Sequence, residues 1–171
     1  MHDLINYMIE AQGIYIRLVE KADALRVYMW ELDPETQLVT QTKNKVSLEM
    51  IYSMIEQQTD VRNSGQLRMM ICLHSNKEAI GIVDLYDVDF ANSKGTIGVL
   101  VYEKKLRRMG FAKKAILELQ EYAQVVLSLR KIDCLIQESN KASISLFESL
   151  GYTRIIENPL KPDQLIYQVS I

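Results

Sequence analysis

Between Val99 and Ala112 the chain reads VLVYEKKLRRMGFA: an apolar run, a basic turn, a single glycine, then the opening of a patterned helix. No other stretch restricts the fold as much. Past Gly110, apolar side chains recur at Phe111, Ala115, Leu119, Tyr122, Ala123 and Val126. Spacings of three and four are the period of a helix with one buried face. The next apolar run is Lys131 to Gln137. A strand, a crossover helix and a second strand place the two strands parallel, so Gly95–Tyr102 and Lys131–Gln137 are expected side by side. The first N–H groups of any helix lack intrahelical partners and sit at the positive end of its dipole. A basic, glycine-containing approach to such an end suits phosphate or pyrophosphate. Read on these residues alone, Arg107 and Arg108 serve equally well as solvated loop charges, and Gly110 as a permissive turn residue.

The rest of the chain supplies a sheet for that unit. Ile14 to Leu18 alternates as a strand does. Asp23 offers an N-cap for a helix ending at Pro34, with Leu25, Tyr28, Met29 and Leu32 inward. Gln37 to Lys45 reads as loop, and Ser47 caps a helix over Leu48–Gln57 with Met50, Ile51, Met54 and Ile55 apolar. Asp3 to Glu10 reads as a short helix or a packed arm. Strands at Leu67–Leu73, Ala79–Val88 and Gly95–Tyr102, joined by short polar turns, make an antiparallel meander. Lys141 to Leu150 is a helix closed by Gly151. Strands at Thr153–Ile156 and Gln164–Val169 finish the chain around a turn with Pro159 and Pro162. The class is α+β.

At 171 residues and 48% hydrophobic, the chain suits a single domain over residues 1–171 with a core that needs no staples. A net charge of −2 argues against nucleic acid as the main partner. Cys72 and Cys134 each stand alone in an apolar run, without metal-ligand spacing, so no metal is expected. No segment reaches the roughly 18 apolar residues of a membrane span. The start, MHDLINYMIE, has no leader pattern. A cytoplasmic protein without membrane contact is expected.

Two segments then combine: Arg107-Arg108-Met109-Gly110-Phe111-Ala112, and the run NKASISLFESLGY from Asn140 to Tyr152. The first resembles the Arg/Gln-x-x-Gly-x-Gly/Ala signature of the GNAT acetyltransferase superfamily. The second resembles its Asn-x-x-Ser/Ala…Leu-Gly-Phe/Tyr segment. The order strand–loop–helix–strand–helix–strand is similar as well, and the resemblance runs from Ile14 to the C-terminus. The run GIVDLYDVDFANSKGTIGVLV looks like the polyamine and ribosomal-protein N-terminal acetyltransferase branches.

The resemblance implies a GNAT-like domain: a mixed, mostly antiparallel sheet flanked by helices, its central parallel strands splayed. It implies acetyl-CoA as cofactor and a primary amine as acceptor, either a polyamine-like molecule or a peptide N-terminus, acetylated by direct attack. The amides of Arg108, Met109, Gly110, Phe111, Ala112 and Lys113 would hold the pyrophosphate, with charge from Arg107 and Arg108. Leu100, Val101 and Tyr102 would meet the pantetheine arm, Gly98 would mark a bulge, and an N–H near Val99 or Leu100 would hold the oxyanion. Asn140 would cap a helix or bond the cofactor arm.

Phe147 stands where the superfamily often has a Tyr acid. That leaves Ser143 as candidate acid, beside a first-turn role in its helix, with Tyr102 and Tyr152 as alternatives. Thr96 stands where many relatives carry a Glu base, so Asp84 becomes the candidate base or substrate contact, equally open to a structural ion pair. Trp30, Glu31 and Asp84 would line the acceptor site, where acidity suits a cationic amine. A homodimer is expected as possible. A cofactor-binding module that has lost turnover is the alternative to an enzyme.

Overall fold

The computed structural model describes residues 13–40, 46–157 and 163–171. The segment Asp3–Glu10 and the turn with Pro159 and Pro162 lie outside them. The described strands are β1 (Ile14–Leu18), β2 (Leu67–Leu73), β3 (Ala79–Asp89), β4 (Lys94–Val101), β5 (Lys131–Gln137), β6 (Thr153–Glu157) and β7 (Gln164–Ser170). They form one sheet in the order β1-β2-β3-β4-β5-β7-β6. Its pairings are antiparallel apart from β4 with β5, which run parallel as the crossover demands.

The described helices are α1 (Ala24–Leu32), α2 (Pro34–Thr40), α3 (Leu48–Gln57), α4 (Val61–Ser64), α5 (Phe111–Val125) and α6 (Lys141–Glu148). On one side of the sheet α5 buries Phe111, Ala115, Ile116, Leu119 and Ala123 against Val83, Leu85, Ile97, Ile132 and Cys134. Val126 falls just beyond the helix and is exposed. On the other side α1 and α3 bury Val27, Trp30, Ile51 and Ile55 against Met70, Cys72 and Ile82. Among the described residues that second layer stops beyond β4. Leu135 is 36% exposed, and Asp133, Gln137, Ile166 and Gln168 are half-buried, so this half of the sheet keeps an open face.

Several expectations are corrected. Leu25, Met29 and Leu32 are exposed, and α1 turns Ala24, Val27, Trp30 and Glu31 inward. The reason is what the inward residues meet: Trp30 stacks on Tyr102 at 5.1 Å, and Glu31 pairs with Arg68. Asp23 does not cap α1. Its carboxylate takes two bonds from Arg17, at 2.6 and 2.9 Å, and one from the Glu20 amide. Residues 37–40 are helix rather than loop. The Asp33 carboxylate accepts from the amides of Glu35 and Thr36, and Pro34 occupies the first helical position, where its missing N–H costs nothing. Met50 is exposed while Ile51 and Ile55 are buried.

Gly98 carries no bulge. The β3–β4 register is unbroken from Gly81↔Val101 to Tyr86↔Thr96, and the irregularity comes after Tyr86. The glycine that backbone packing requires is Gly81, where a Cβ would sit 2.1 Å from the Leu100 carbonyl oxygen.

Candidate functional site

The site begins where the parallel strands part. β4 and β5 pair only over Lys94–Thr96 with Lys131–Asp133. Beyond that, β4 continues to Val101 and β5 to Gln137 without pairing to each other, leaving a gap that opens toward α5 and α6. The Tyr102 amide donates to the Ile80 carbonyl at 2.9 Å. Bonded pairs alternate along an antiparallel ladder, so the Leu100 amide also turns to β3, and the amides of Val99 and Val101 face the gap. Of the three expected backbone partners, Val101 therefore presents its peptide edge. Leu100 and Tyr102 instead send side chains into the layer of Trp30.

After β4 a short 3-10 turn, Lys104–Leu106, leads into the loop. Arg108 (φ 65°) and Gly110 (φ 84°) are both left-handed, and they curl the backbone as anion-binding concavities do. No side chain caps α5. Lys114 is the first residue whose amide finds a partner, the Gly110 carbonyl at 3.1 Å. The six amides from Arg108 to Lys113 have no acceptor among the described residues. A Cβ built on Gly110 meets nothing within 4 Å, so the space over these amides is open. Phe111 anchors the turn in the core at 3% exposure, while Arg108, Met109 and Lys113 are exposed and Ala112 is half-buried.

Arg107 is neither a solvated charge nor a free anion ligand. Its Nε donates to the Val101 carbonyl at 2.9 Å, its Nη2 to the Tyr102 carbonyl at 3.3 Å, and its Nη1 to Glu35. Lys104 pairs with the other Glu35 oxygen. These hydrogen bonds, led by that from Arg107, hold the Glu35 carboxyl at about 2. Arg107 thus ties the end of β4 to α2. Two of the four cations in this loop, Lys104 and Arg107, share the one Glu35 carboxylate.

Across the gap, β5 leads to α6. The Asn140 Oδ1 accepts from the Ser143 amide at 3.1 Å and caps that helix. The Ser143 hydroxyl is half-buried and has no partner among the described residues. Beside it, Gln137, Glu138, Ser139, Lys141 and Asp163 line a cleft of about 410 Å³. Phe147 is buried and packs edge-on against Tyr152 at 4.9 Å. Tyr152 takes a bond from Gln120 at 2.7 Å, and burial pushes its hydroxyl pKa up. Tyr152 is a core residue and not an acid of the site.

On the sheet's other side, the sequence candidates Glu31 and Asp84 meet on a residue that sequence reasoning missed. Arg68, directly across from Asp84 on β2, donates from Nε and Nη2 to the two Asp84 oxygens at 2.8 and 2.9 Å, and from Nη1 to Glu31 at 2.8 Å. Both Asp84 oxygens hold N–H donors, so Asp84 sits in the structural ion pair that the sequence left open beside a role as base or substrate contact. The available signal was the alternation that puts Arg68 on the face of Met70, opposite Ile82 and Asp84. Trp30 is buried at 6% and stacks on Tyr102, which makes it a wall rather than a free contact. No group of His, Cys, Asp and Glu among the described residues could hold a metal ion. No described helix is long and apolar enough to cross a membrane.

The family model described as an acetyltransferase (GNAT) domain matches residues 14–153. The chain belongs to the GNAT acetyltransferase family. A curated relative, an uncharacterized N-acetyltransferase p20 of Bacillus licheniformis, is 28% identical over 137 residues, covering 80% of this chain and 75% of the relative. A domain from Methanocaldococcus jannaschii superposes with TM-score 0.78 at 21% identity, covering 94% of this chain and 99% of that one. The spermidine N-acetyltransferase of Vibrio cholerae, solved with CoA and spermine, superposes with TM-score 0.77 at 16% identity, covering 92% and 94%. The open amides, the parted strands and the crossover helix are thus features of an acetyltransferase, a family whose acetyl donor is acetyl-CoA.

Proposed function

We propose that this acetyltransferase moves the acetyl group of acetyl-CoA to the primary amine of a cationic acceptor, by direct attack with both substrates bound. The observation that carries this reading is the six-amide opening of α5 beside the unpaired edge of β4. The amides of Arg108–Lys113 would hold the pyrophosphate, and the exposed Arg108 and Lys113 would add charge. The pantetheine arm would lie along the Val99 and Val101 edge, whose free amide would receive the carbonyl oxygen as negative charge grows on it. Acetyl-CoA supplies the thioester.

The chain's own groups do the rest. The attacking nitrogen gives up its proton to water, with no dedicated base, and Ser143 donates a proton to the leaving sulfur and regains one from water, with Tyr102 as the alternative hydroxyl. Asn140, already a cap, keeps its NH₂ for the cofactor arm. Glu31 and Asp84 share one guanidinium, which leaves a net negative charge on the acceptor side. That charge favours cations, as in the Vibrio cholerae enzyme that was solved with spermine.

The burial of Phe147, which removes a phenol from the usual acid position, favours a second reading: a CoA-binding module without turnover. One experiment separates the two. Acetyl-CoA is offered with polyamines, aminoglycosides and peptide N-termini, and free thiol is measured. Amine-dependent thiol release by a polyamine or a peptide supports the enzyme. Bound acetyl-CoA with no release above hydrolysis for any amine supports the module.

A further inference from the structure

The open face of the sheet holds a carboxylate that none of these roles uses. Asp133 is the last β5 residue paired with β4, so it sits where the two strands separate. One row of cross-strand partners runs through it: Tyr86 on β3, Thr96 on β4, Asp133, Gln168 on β7 and Thr153 on β6. Its neighbours Ile132 and Cys134 point into the α5 core, so the Asp133 side chain lies on the opposite, open face. There it makes no ion pair among the described residues. Gln168 Nε2 donates to its Oδ1 at 2.7 Å, which fixes the carboxylate and leaves Oδ2 without a partner among the described residues. The next row along the same face is Arg68, Asp84 and Gly98. A Cβ on Gly98 would meet only Tyr86 Cε1, at 3.7 Å, so the floor between the two acidic positions is bare.

We propose that Asp133 binds the ammonium group of the acceptor. The reasoning is comparative. Of the three carboxylates on this face, Glu31 and Asp84 are engaged by Arg68. Asp133 alone among them has no cationic partner among the described residues, and it lies at the mouth of the gap through which a thioester would be reached. A half-buried carboxylate with a single amide donor is incompletely compensated, and a cation on Oδ2 completes it. Two carboxylates around one guanidinium on one side of Gly98, and Asp133 on the other, fit an acceptor carrying more than one positive nitrogen. Asp133 is therefore a specificity-determining residue, and Gln168 positions it. The assignment rests on the acetyl-transfer reading for its chemistry but is tested by binding.

Asp133→Asn keeps the size of the side chain and the acceptor for Gln168 while removing the charge. Spermidine is titrated calorimetrically into the CoA-saturated protein, and KM and kcat are read by thiol release. The expected result is spermidine affinity about tenfold weaker and KM about tenfold higher, with acetyl-CoA affinity and melting temperature unchanged. Asp133→Glu should recover part of the affinity, and Gln168→Ala should lose about threefold through KM alone. Wild-type protein that binds no spermidine, or D133N that binds it as wild type does, overturns the proposal. Spermidine held through Asp133 with no amine-dependent thiol release would instead overturn the transfer reading and leave this one standing.

Discussion

Each of the two strands that part is followed by a helix, and the two helix starts are finished differently. The start of α6 is closed: Asn140 caps it, and the Ser143 amide is satisfied. The start of α5 is open: its N-cap is a glycine with no side chain, and six successive amides find no acceptor among the described residues. A cap of the Asn140 kind stabilises a helix by about 1 kcal/mol. Forgoing one at α5 leaves a row of donors at the positive end of a fifteen-residue helix. A side-chain cap would take up those donors; their openness is what the proposed pyrophosphate site rests on, and Arg107 braces the loop beside it.

The most direct way to break this contrast is Gly110→Glu. A carboxylate at the open start would compete for the amides and repel a pyrophosphate. Its affinity for acetyl-CoA should fall by about a hundredfold or more, measured by calorimetry. The left-handed φ of 84° adds a cost of about 1 kcal/mol in stability. Acetyl-CoA affinity equal to wild type would show that the open amides serve nothing.

Ser143→Ala comes next. It leaves the cap intact, because the capped group is the backbone amide, and it removes the hydroxyl. The expected outcome is kcat lowered ten- to about a hundredfold with KM within a factor of two, read by thiol release. An unaltered kcat moves the acid role to Tyr102. Asn140→Ala should cost about 1 kcal/mol and lower the melting temperature by about 2–4 °C, with Asn140→Ser recovering most of it. A melting temperature that does not move would mean the closed start is not closed by Asn140.

The smallest effect concerns the brace behind the open start. Arg107 and Lys104 lower the Glu35 carboxyl from its ordinary 4.5 to about 2. A depressed carboxylate contributes stability that is whole above its unfolded value and is lost as pH falls through the folded one. The melting temperature of wild type should therefore exceed that of Glu35→Gln above pH 4.5, and the two curves should converge as pH approaches 2. Parallel curves over that range would remove Glu35 from the brace. Because the pair is exposed, the difference is small and shrinks with salt.

Much of this was legible in the chain. The period of α5, the glycine at its start, the parallel crossover and the cap at Asn140 are local patterns. Backbone geometry converts each into structure within a few residues. Asp33-Pro34 was legible too, as the start of α2 rather than the end of α1, since an Asp that caps and a Pro that needs no donor make a helix start. Misreading that pair made a loop of residues 37–40. The face of α1 could not be read from apolar spacing alone. Leu25, Met29 and Leu32 offer as good a stripe as the residues chosen, and the choice came from Tyr102 and Arg68, far along the chain.

By itself, then, the sequence determined most of the elements, their order, the family and the glycine at the start of α5, because these follow from local patterns and their succession along the chain. Only the tertiary structure decided that Arg68 takes up Glu31 and Asp84, that Arg107 braces the loop, and that Asp133 has no ion-pair partner among the described residues where the strands part. Each of these depends on register between segments tens of residues apart, and an ion pair forms wherever that register brings the charges to hydrogen-bonding distance.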